Sequence, residues 1–375
     1  MLTVSVIHAL RQEKERQRLV INRRVRLILA LILSALLLYL AFNFLSWDSL
    51  LSSLRQFDQR WLMPVIGLVL LLYALRALRW QRILNPVRRV PLPLLFEATI
   101  LSAFTNLILP INVGELVRAY LIKKKYQVSV FTLVGTFAME RVGGIVAFAV
   151  VGGIALLLVT LPPELAQIQR QVIFSLVTVL VILIVLLLLT VLAQQRSSVF
   201  TQVGHWLTNR LSPQWQARLV GGWQRFRQGL QFGGTHRETA LILLYSVAMR
   251  VTSGLIMLCL AQGFGIALPL AIFLFLDVLV TFAHMVGSHL FGIVGASEVS
   301  LTYGLSFFAV AKETGLSIAL LMTASSIAPV VVLGALFFLK QGLTWQELRD
   351  LPKYAAWTPS IEDSQRREIV QNSER

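Results

Sequence analysis

The sequence predicts an all-α, polytopic membrane bundle of about seven to nine membrane segments, two of them broken or re-entrant, arranged as a weak two-half repeat. Three observations carry this. Hydrophobic residues make up 56% of the chain and charged residues only 14%, where a soluble domain holds roughly 25% charged residues. Apolar runs of spanning length recur along the chain. Basic residues gather in patches between those runs, as orientation by positive charge requires.

Taken in order, residues 1–26 hold seven Arg or Lys against two Glu and no cleavable apolar stretch, so they read as a basic interfacial segment. The expected spans are 27–47, 61–80, 142–160, 172–193, 239–262, 269–290 and 316–339. The stretches 94–110 and 291–310 are apolar but interrupted, and read as re-entrant or interfacial pieces. Besides residues 1–26, three patches are basic without any acid: 76–89 with five Arg, 118–125 with Arg118 and Lys123 to Lys125, and 194–237 with six Arg. All four are expected in the cytoplasm, which places the N-terminus there and makes the chain a multi-pass protein of the cell membrane. The segment 92–125 must then enter and leave on one side. The loop 194–237 interleaves Trp206, Trp215, Trp223, Phe226 and Phe232 with Arg210, Arg218, Arg225 and Arg227. It reads either as a headgroup-layer helix attracted to anionic lipid or as a basic cap without lipid specificity. The transmembrane domain is expected over 27–340, and a polar tail over 341–375.

Function is signalled by Asn106-Leu-Ile-Leu-Pro-Ile-Asn-Val-Gly-Glu-Leu-Val-Arg118. Non-helical backbone at membrane depth survives only when buried in protein or lining a wet cavity. Ionisable groups there are a functional hypothesis by default. Glu115 and Arg118 are three apart, so on a helix following Gly114 they share a face and can pair. That helix would aim its free N–H groups at the break and attract an anion, with Asn106 and Asn112 satisfying freed backbone groups. An ordinary helix start at the membrane surface fits the same residues. Glu140 and Arg141 stand at the junction between an amphipathic stretch, 128–139, and the span after it. Being adjacent, they point apart and should pair with other residues, of which Glu115 and Arg118 are nearest. A second interrupted stretch, His284 to Glu298, carries Gly287, Gly292 and Gly295 before its carboxylate. Gly114-Glu115 and Gly295…Glu298 look like corresponding positions of two halves, the pattern that marks a transporter's binding site. Asp277 and Arg250 are expected to neutralise one another. His284 and His289 are five apart, a poor spacing for a metal.

At these residues a family resemblance appears. Leu109-Pro110…Gly114-Glu115…Arg118, then Glu140-Arg141, then Gly292…Gly295…Glu298 resemble the flippase-like membrane domain of lysylphosphatidylglycerol synthases, over roughly residues 25–340. The run Ala77-Leu-Arg-Trp80 is similar to the end of that family's second helix. Where the family has Glu-Arg-x-x-Asp, this chain has Gly144 in place of the acid. Ser297 stands before Glu298 where Arg is usual, Ser288 replaces a Pro, and Ser325 or Ser326 replaces an Arg of the last span. The resemblance implies lipid translocation, with Pro110, Gly114, Glu115, Arg118, Glu140, Arg141, Gly295 and Glu298 as headgroup-site residues. The departures imply a narrowed or altered headgroup preference.

The remaining expectations are negative or alternative. The lone Cys259 gives no disulfide framework. No nucleophile–base pair, Walker-type glycine loop or metal-ligand spacing is present, so no cofactor and no metal is expected. Only about 35 residues follow position 340, far below domain size, so the chain is expected not to be a self-contained enzyme. The expected partners are membrane lipids, whether anionic or aminoacylated phospholipid or a lipid-linked sugar, and not nucleic acid. A homo-oligomer stays open. Two alternatives stand beside lipid handling: an ion-coupled secondary transporter of a small solute, and a non-transporting subunit that recruits a lipid- or glycan-modifying enzyme.

Overall fold

A computed structural model of the chain describes residues 47–108, 114–159, 174, 178, 236–290, 295–344 and 347. The basic segment 1–26, the expected spans 27–47 and 172–193, the loop 194–237, Pro110, Asn112, Gly292 and the tail lie wholly or mainly outside these residues. Among the described residues the fold is helical throughout. In chain order the helices are α1 (Trp47–Arg55), α2 (Leu62–Leu84), α3 (Leu92–Ile108), α4 (Gly114–Tyr126), α5 (Val130–Leu158), α6 (His236–Gly263), α7 (Leu270–Leu290), α8 (Ala296–Ser306) and α9 (Lys312–Lys340). Four are long and apolar enough to cross a membrane: α2 with the 3₁₀ turn Gln59–Trp61 before it, α5, α6 and α9. Residues Leu92–Ile108 and Leu270–Ala283 form shorter apolar helices.

Helices α2 and α6 run antiparallel along one another. The Asp58 N–H donates to the Gly263 carbonyl at 2.8 Å at one end, and Arg82 pairs with Glu238 at 3.3 Å at the other. Gly263 faces the Phe57 ring so closely that a Cβ would overlap it. Two apolar clusters fill the bundle. One joins Trp80 and Leu84 of α2 to Leu95 and Leu101 of α3, Leu121 and Ile122 of α4 and Leu133 of α5. The other joins Val65 and Val69 of α2 to Met257 and Leu260 of α6, Phe273 and Leu276 of α7, Leu305 of α8 and Ile318 of α9. A small third cluster, Ile83, Met139 and Ile242, ties α2, α5 and α6 within a turn of the charged residues described below.

The expected re-entrant piece at 94–110 is α3, whose 17 residues reach about 25 Å, short of the roughly 30 Å hydrocarbon core. The chain then turns back. The Asn106 side-chain oxygen accepts the Gly114 N–H at 2.7 Å, and the residues near Leu92 and Tyr126 pack in the same apolar cluster. The two helices therefore form a hairpin with both open ends at one end of the bundle.

The region 128–160 departs from expectation. An amphipathic stretch at 128–139 followed by a span at 142–160 was expected, but one continuous helix, α5, covers both. No Pro interrupts residues 130–141, and the glycines there do not stop a helix whose faces are covered by neighbours. Glu140 and Arg141 consequently lie inside the helix rather than at a junction. Its 29 residues extend about 44 Å, longer than the hydrocarbon core.

In the second half, α8 starts at Gly295, whose φ of 118° only glycine adopts readily. This helix is too short to cross and packs on α9, where Gly315 meets the Thr302 backbone. Each half thus has an apolar helix, a break, and a short helix with a glutamate in its first turn (Glu115 or Glu298). The weak repeat is visible in that local form.

Candidate functional site

The hairpin break is built by small and amide side chains. Gly114 lies against the Ser102 carbonyl and the Asn106 amide, and a Cβ there would collide with both. Closeness of α3 and α4 thus depends on that glycine, while Asn106 caps the new helix as its spacing suggested. Asn106 and Gly114 are the break residues whose roles are described; Pro110 lies outside the described residues.

One turn into α4, Arg118 turns inward. Its Nη2 is 2.5 Å from Glu140 Oε2 on α5, and its guanidinium lies 4.2 Å from the ring centre of Trp80 and 4.5 Å from that of Phe137. Trp80 is held by its own donor, Nε1 to Thr136 Oγ1 at 3.2 Å. The expected Glu115–Arg118 pair within α4 does not form. Instead the two short helix faces pair crosswise: Arg118 takes Glu140 inside, and Arg141 takes Glu115 outside at 2.5 Å. The reason is depth. Arg118 and Glu140 are 4% and 8% exposed, so each needs a fully desolvated partner, whereas the Arg141 and Glu115 side chains are 76% and 41% exposed. The adjacency of Glu140 and Arg141 had already required separate partners.

A third charge completes the buried group. Arg79, near the end of α2 and 7% exposed, brings Nη2 to 3.9 Å from Glu140 Oε1 and donates Nη1 to Ser246 Oγ on α6 at 3.1 Å. The Ser246 hydroxyl in turn donates to the Ile242 carbonyl. Gly143 allows this approach, because a Cβ there would press on Ser246 Oγ at 3.1 Å. One carboxylate therefore serves two guanidiniums. Sequence reasoning put Arg79 at the end of the expected span 61–80 and counted it in the basic patch 76–89, but did not weigh it, Ser246, Thr136 or Phe137 as site residues.

Polar groups continue along α6. Glu238, Ser246, Arg250 and Ser253 recur at spacings of three, four or eight, on one face. Arg250 Nη1 donates to Asp277 Oδ2 at 3.1 Å and to Thr281 Oγ1 at 2.8 Å, and Ser253 donates to Asp277 Oδ1 at 2.5 Å. The expected Arg250–Asp277 neutralisation is present, with two hydroxyls added. Arg82–Glu238 joins α6 to α2 and Arg250–Asp277 joins it to α7, so ion pairs recur along α6.

The second expected site stands apart. The Glu298 carboxylate accepts from the Gly295 N–H at 3.1 Å, from Ser297 Oγ at 2.8 Å and from Thr323 Oγ1 of α9 at 2.8 Å. These contacts cap α8 and tie it to α9. Among the described residues they do not bring Glu298 to the Arg118–Glu140 group. At the hairpin's open end, Glu97 of α3 takes Lys340 and Gln341, and Glu347 takes the Tyr120 hydroxyl at 3.1 Å and Lys124 at 3.6 Å. The Thr344 N–H, donated to the Glu347 carboxylate, holds that carboxyl below the usual range.

Chemically, the arrangement is a buried, aromatic-walled set of two guanidiniums and one carboxylate at the base of a broken hairpin, joined to the neutralised pairs along α6. Comparison with known proteins gave no match among curated proteins or solved structures. The family model described as the lysylphosphatidylglycerol synthase transmembrane region matches residues 27–334. This chain, a multi-pass integral membrane protein, belongs to that lipid-related family.

Proposed function

We propose that this protein moves polar-headgroup lipids across the cell membrane in the manner of a flippase, with its N-terminus in the cytoplasm, and that it is not itself an enzyme. The observation that carries this reading is the buried Arg79–Glu140–Arg118 group at the base of the α3–α4 hairpin. Charges at that depth are expensive and occur where they line a polar route or bind a ligand. A headgroup entering at the break meets the Gly114 end of α4, then Arg118 and Arg79. Glu140 holds the two guanidiniums together between passages, and the exposed Glu115–Arg141 pair forms the outer lip. The acyl chains stay in lipid beside the exposed Leu107 and Ile108 at the hairpin tip.

Ion coupling has a candidate in the same bundle. Asp277, 3% exposed and bonded to Arg250 and Ser253, is the group that would exchange a cation or proton, and this observation also favours a solute transporter as the second reading. The experiment is translocation of headgroup-labelled lipids in proteoliposomes, with a water-soluble substrate arm under a pH gradient. Selective lipid movement, lost in Arg118→Ala protein that remains folded, is the expected result. Movement of no lipid by folded wild-type protein overturns the reading.

A further inference from the structure

The buried charges at the site do not balance. Arg79 and Arg118 are 93% and 96% buried in fractional terms, being 7% and 4% exposed, and the carboxylate between them is Glu140. By contrast, the Arg250–Asp277 pair between α6 and α7 matches one base with one acid. Arg76, one turn before Arg79 on α2, adds positive potential within reach of Arg79 and Glu140. The donors are also incompletely used. The Nε atoms of Arg79 and Arg118 are buried and make no hydrogen bond, and Glu140 Oε1 accepts none, with Arg79 Nη2 3.9 Å from it. A buried guanidinium presents five donors, and leaving them unmade costs more than the bonds are worth when formed.

There is also room at the place where the balance fails. A Cβ built on Gly144 would have Arg79 Nη1 at 3.9 Å as its nearest neighbour and nothing closer. The adjacent Gly143 position is already filled by Ser246 and Ile242. The Gly144 face of α5 is thus open next to the Arg79 guanidinium.

We propose that the open space between Gly144 and Arg79, next to Ser246, binds a phosphate monoanion, and that Arg79 selects anionic over aminoacylated headgroups. A phosphate diester supplies one negative charge and several acceptor oxygens, which matches one excess guanidinium and its unmade bonds. A lysyl-bearing headgroup would bring further positive charge to a group that already has an excess, so it is disfavoured. This inference rests on the lipid-handling reading for the source of the phosphate, while the binding chemistry stands independently of transport.

The test uses Gly144→Asp, Gly144→Asn and Arg79→Gln in the full chain, with binding measured in nanodiscs against phosphatidylglycerol, lysyl-phosphatidylglycerol and phosphatidylethanolamine. Glycerol 3-phosphate serves as a soluble competitor. Asp at 144 sets a carboxylate against Arg79 and is compatible with folding, whereas Asn fills the same space without charge. The wild-type preference for phosphatidylglycerol should be at least about tenfold. It should vanish in the Asp variant and in folded Arg79→Gln protein, and be better kept in the Asn variant. Competition by glycerol 3-phosphate supports the site and marks a soluble phosphate ester as its ligand; lack of competition supports the site with a lipid. Equal losses in the Asp and Asn variants, or a wild-type preference for the lysyl lipid, overturn the inference. Selective binding without translocation sinks the transport reading and leaves the phosphate site standing; translocation without headgroup preference does the reverse.

Discussion

Replacing Glu140 by Gln removes the negative charge that two guanidiniums share while keeping the side chain's shape. Arg118 Nη2 lies 2.5 Å and Arg79 Nη2 3.9 Å from its two oxygens. The amide can still accept one bond through its oxygen, but its NH₂ must face the other guanidinium, donor against donor. Breaking a buried ion pair from one side costs about 3–5 kcal/mol, because an uncompensated charge is left behind. A lost neutral hydrogen bond between membrane helices averages only about 0.6 kcal/mol. The two accounts therefore differ by severalfold, and stability distinguishes them. The assay is reversible unfolding of the purified protein in mixed micelles, followed by tryptophan fluorescence, since Trp80 stacks on Arg118. A destabilisation of about 3 kcal/mol or more is expected for Glu140→Gln. The double variant Arg118→Gln/Glu140→Gln should recover part of it, because one of the stranded cations is gone. A loss below about 1 kcal/mol, with no recovery in the double variant, would show that Glu140 acts as an ordinary acceptor and that the charge argument fails.

Three further outcomes follow from the geometry. Gly114→Ala should destabilise the hairpin, because its Cβ meets the Ser102 carbonyl, which is backbone and cannot swing away; faster proteolysis between residues 106 and 118 checks this. Glu115→Gln should cost under about 1 kcal/mol, a cost that shrinks further as salt is raised, in contrast with Glu140→Gln, because the Glu115–Arg141 pair is exposed and screened. The Glu347 contact with α4 should weaken in acid. Its folded-state carboxyl is held low, so the contribution is complete above the ordinary glutamate range and disappears as pH falls through the lowered value. Crosslinking between positions 120 and 347 across a pH series reports it, and an unchanged yield down to strong acid would be the contrary result.

Class, the spans at 61–80, 239–262 and 316–339 and the breaks could be read in the sequence because the bilayer imposes them. Hydrophobic length and Lys/Arg clustering follow from the solvent, and a Pro, a Gly and two charges within nine positions announce a break. The Arg250–Asp277 pair and the Asn106 cap were legible for a related reason: each polar group in that setting has few partners to choose from. Pairing across helices was less legible. Spacing put Glu115 and Arg118 on one face, but spacing carries no depth, and depth decided that Arg118 would go to Glu140. Arg79 was hidden by its type. An arginine a few residues from a helix end looks like a basic flank, and only packing of α2 against α5 and α6 shows it is inside. The join of 128–139 to 142–160 was missed because polar residues at 140 and 141 mimic a boundary, although no backbone signal marks one.

The crosswise pairing bears on how such a site could move a charge. Arg118 and Glu115 lie on one short helix, Glu140 and Arg141 on one long one, so rotating α4 against α5 strains both pairs together. The outer pair is exposed and weak, and water can replace it at little cost. The inner pair has no such substitute, and Arg118 also stacks on Trp80 and Phe137. A headgroup anion is a ligand that could take the place of Glu140 on Arg118 without stranding a buried cation. Under the proposed lipid-handling reading, motion of the hairpin would be coupled to occupancy: empty, the inner pair locks α4 to α5; loaded, a phosphate would carry part of the guanidinium charge and loosen the lock. Gly114 fits this account, since a glycine seat with no side chain to interlock lets the start of α4 pivot on the Ser102 carbonyl.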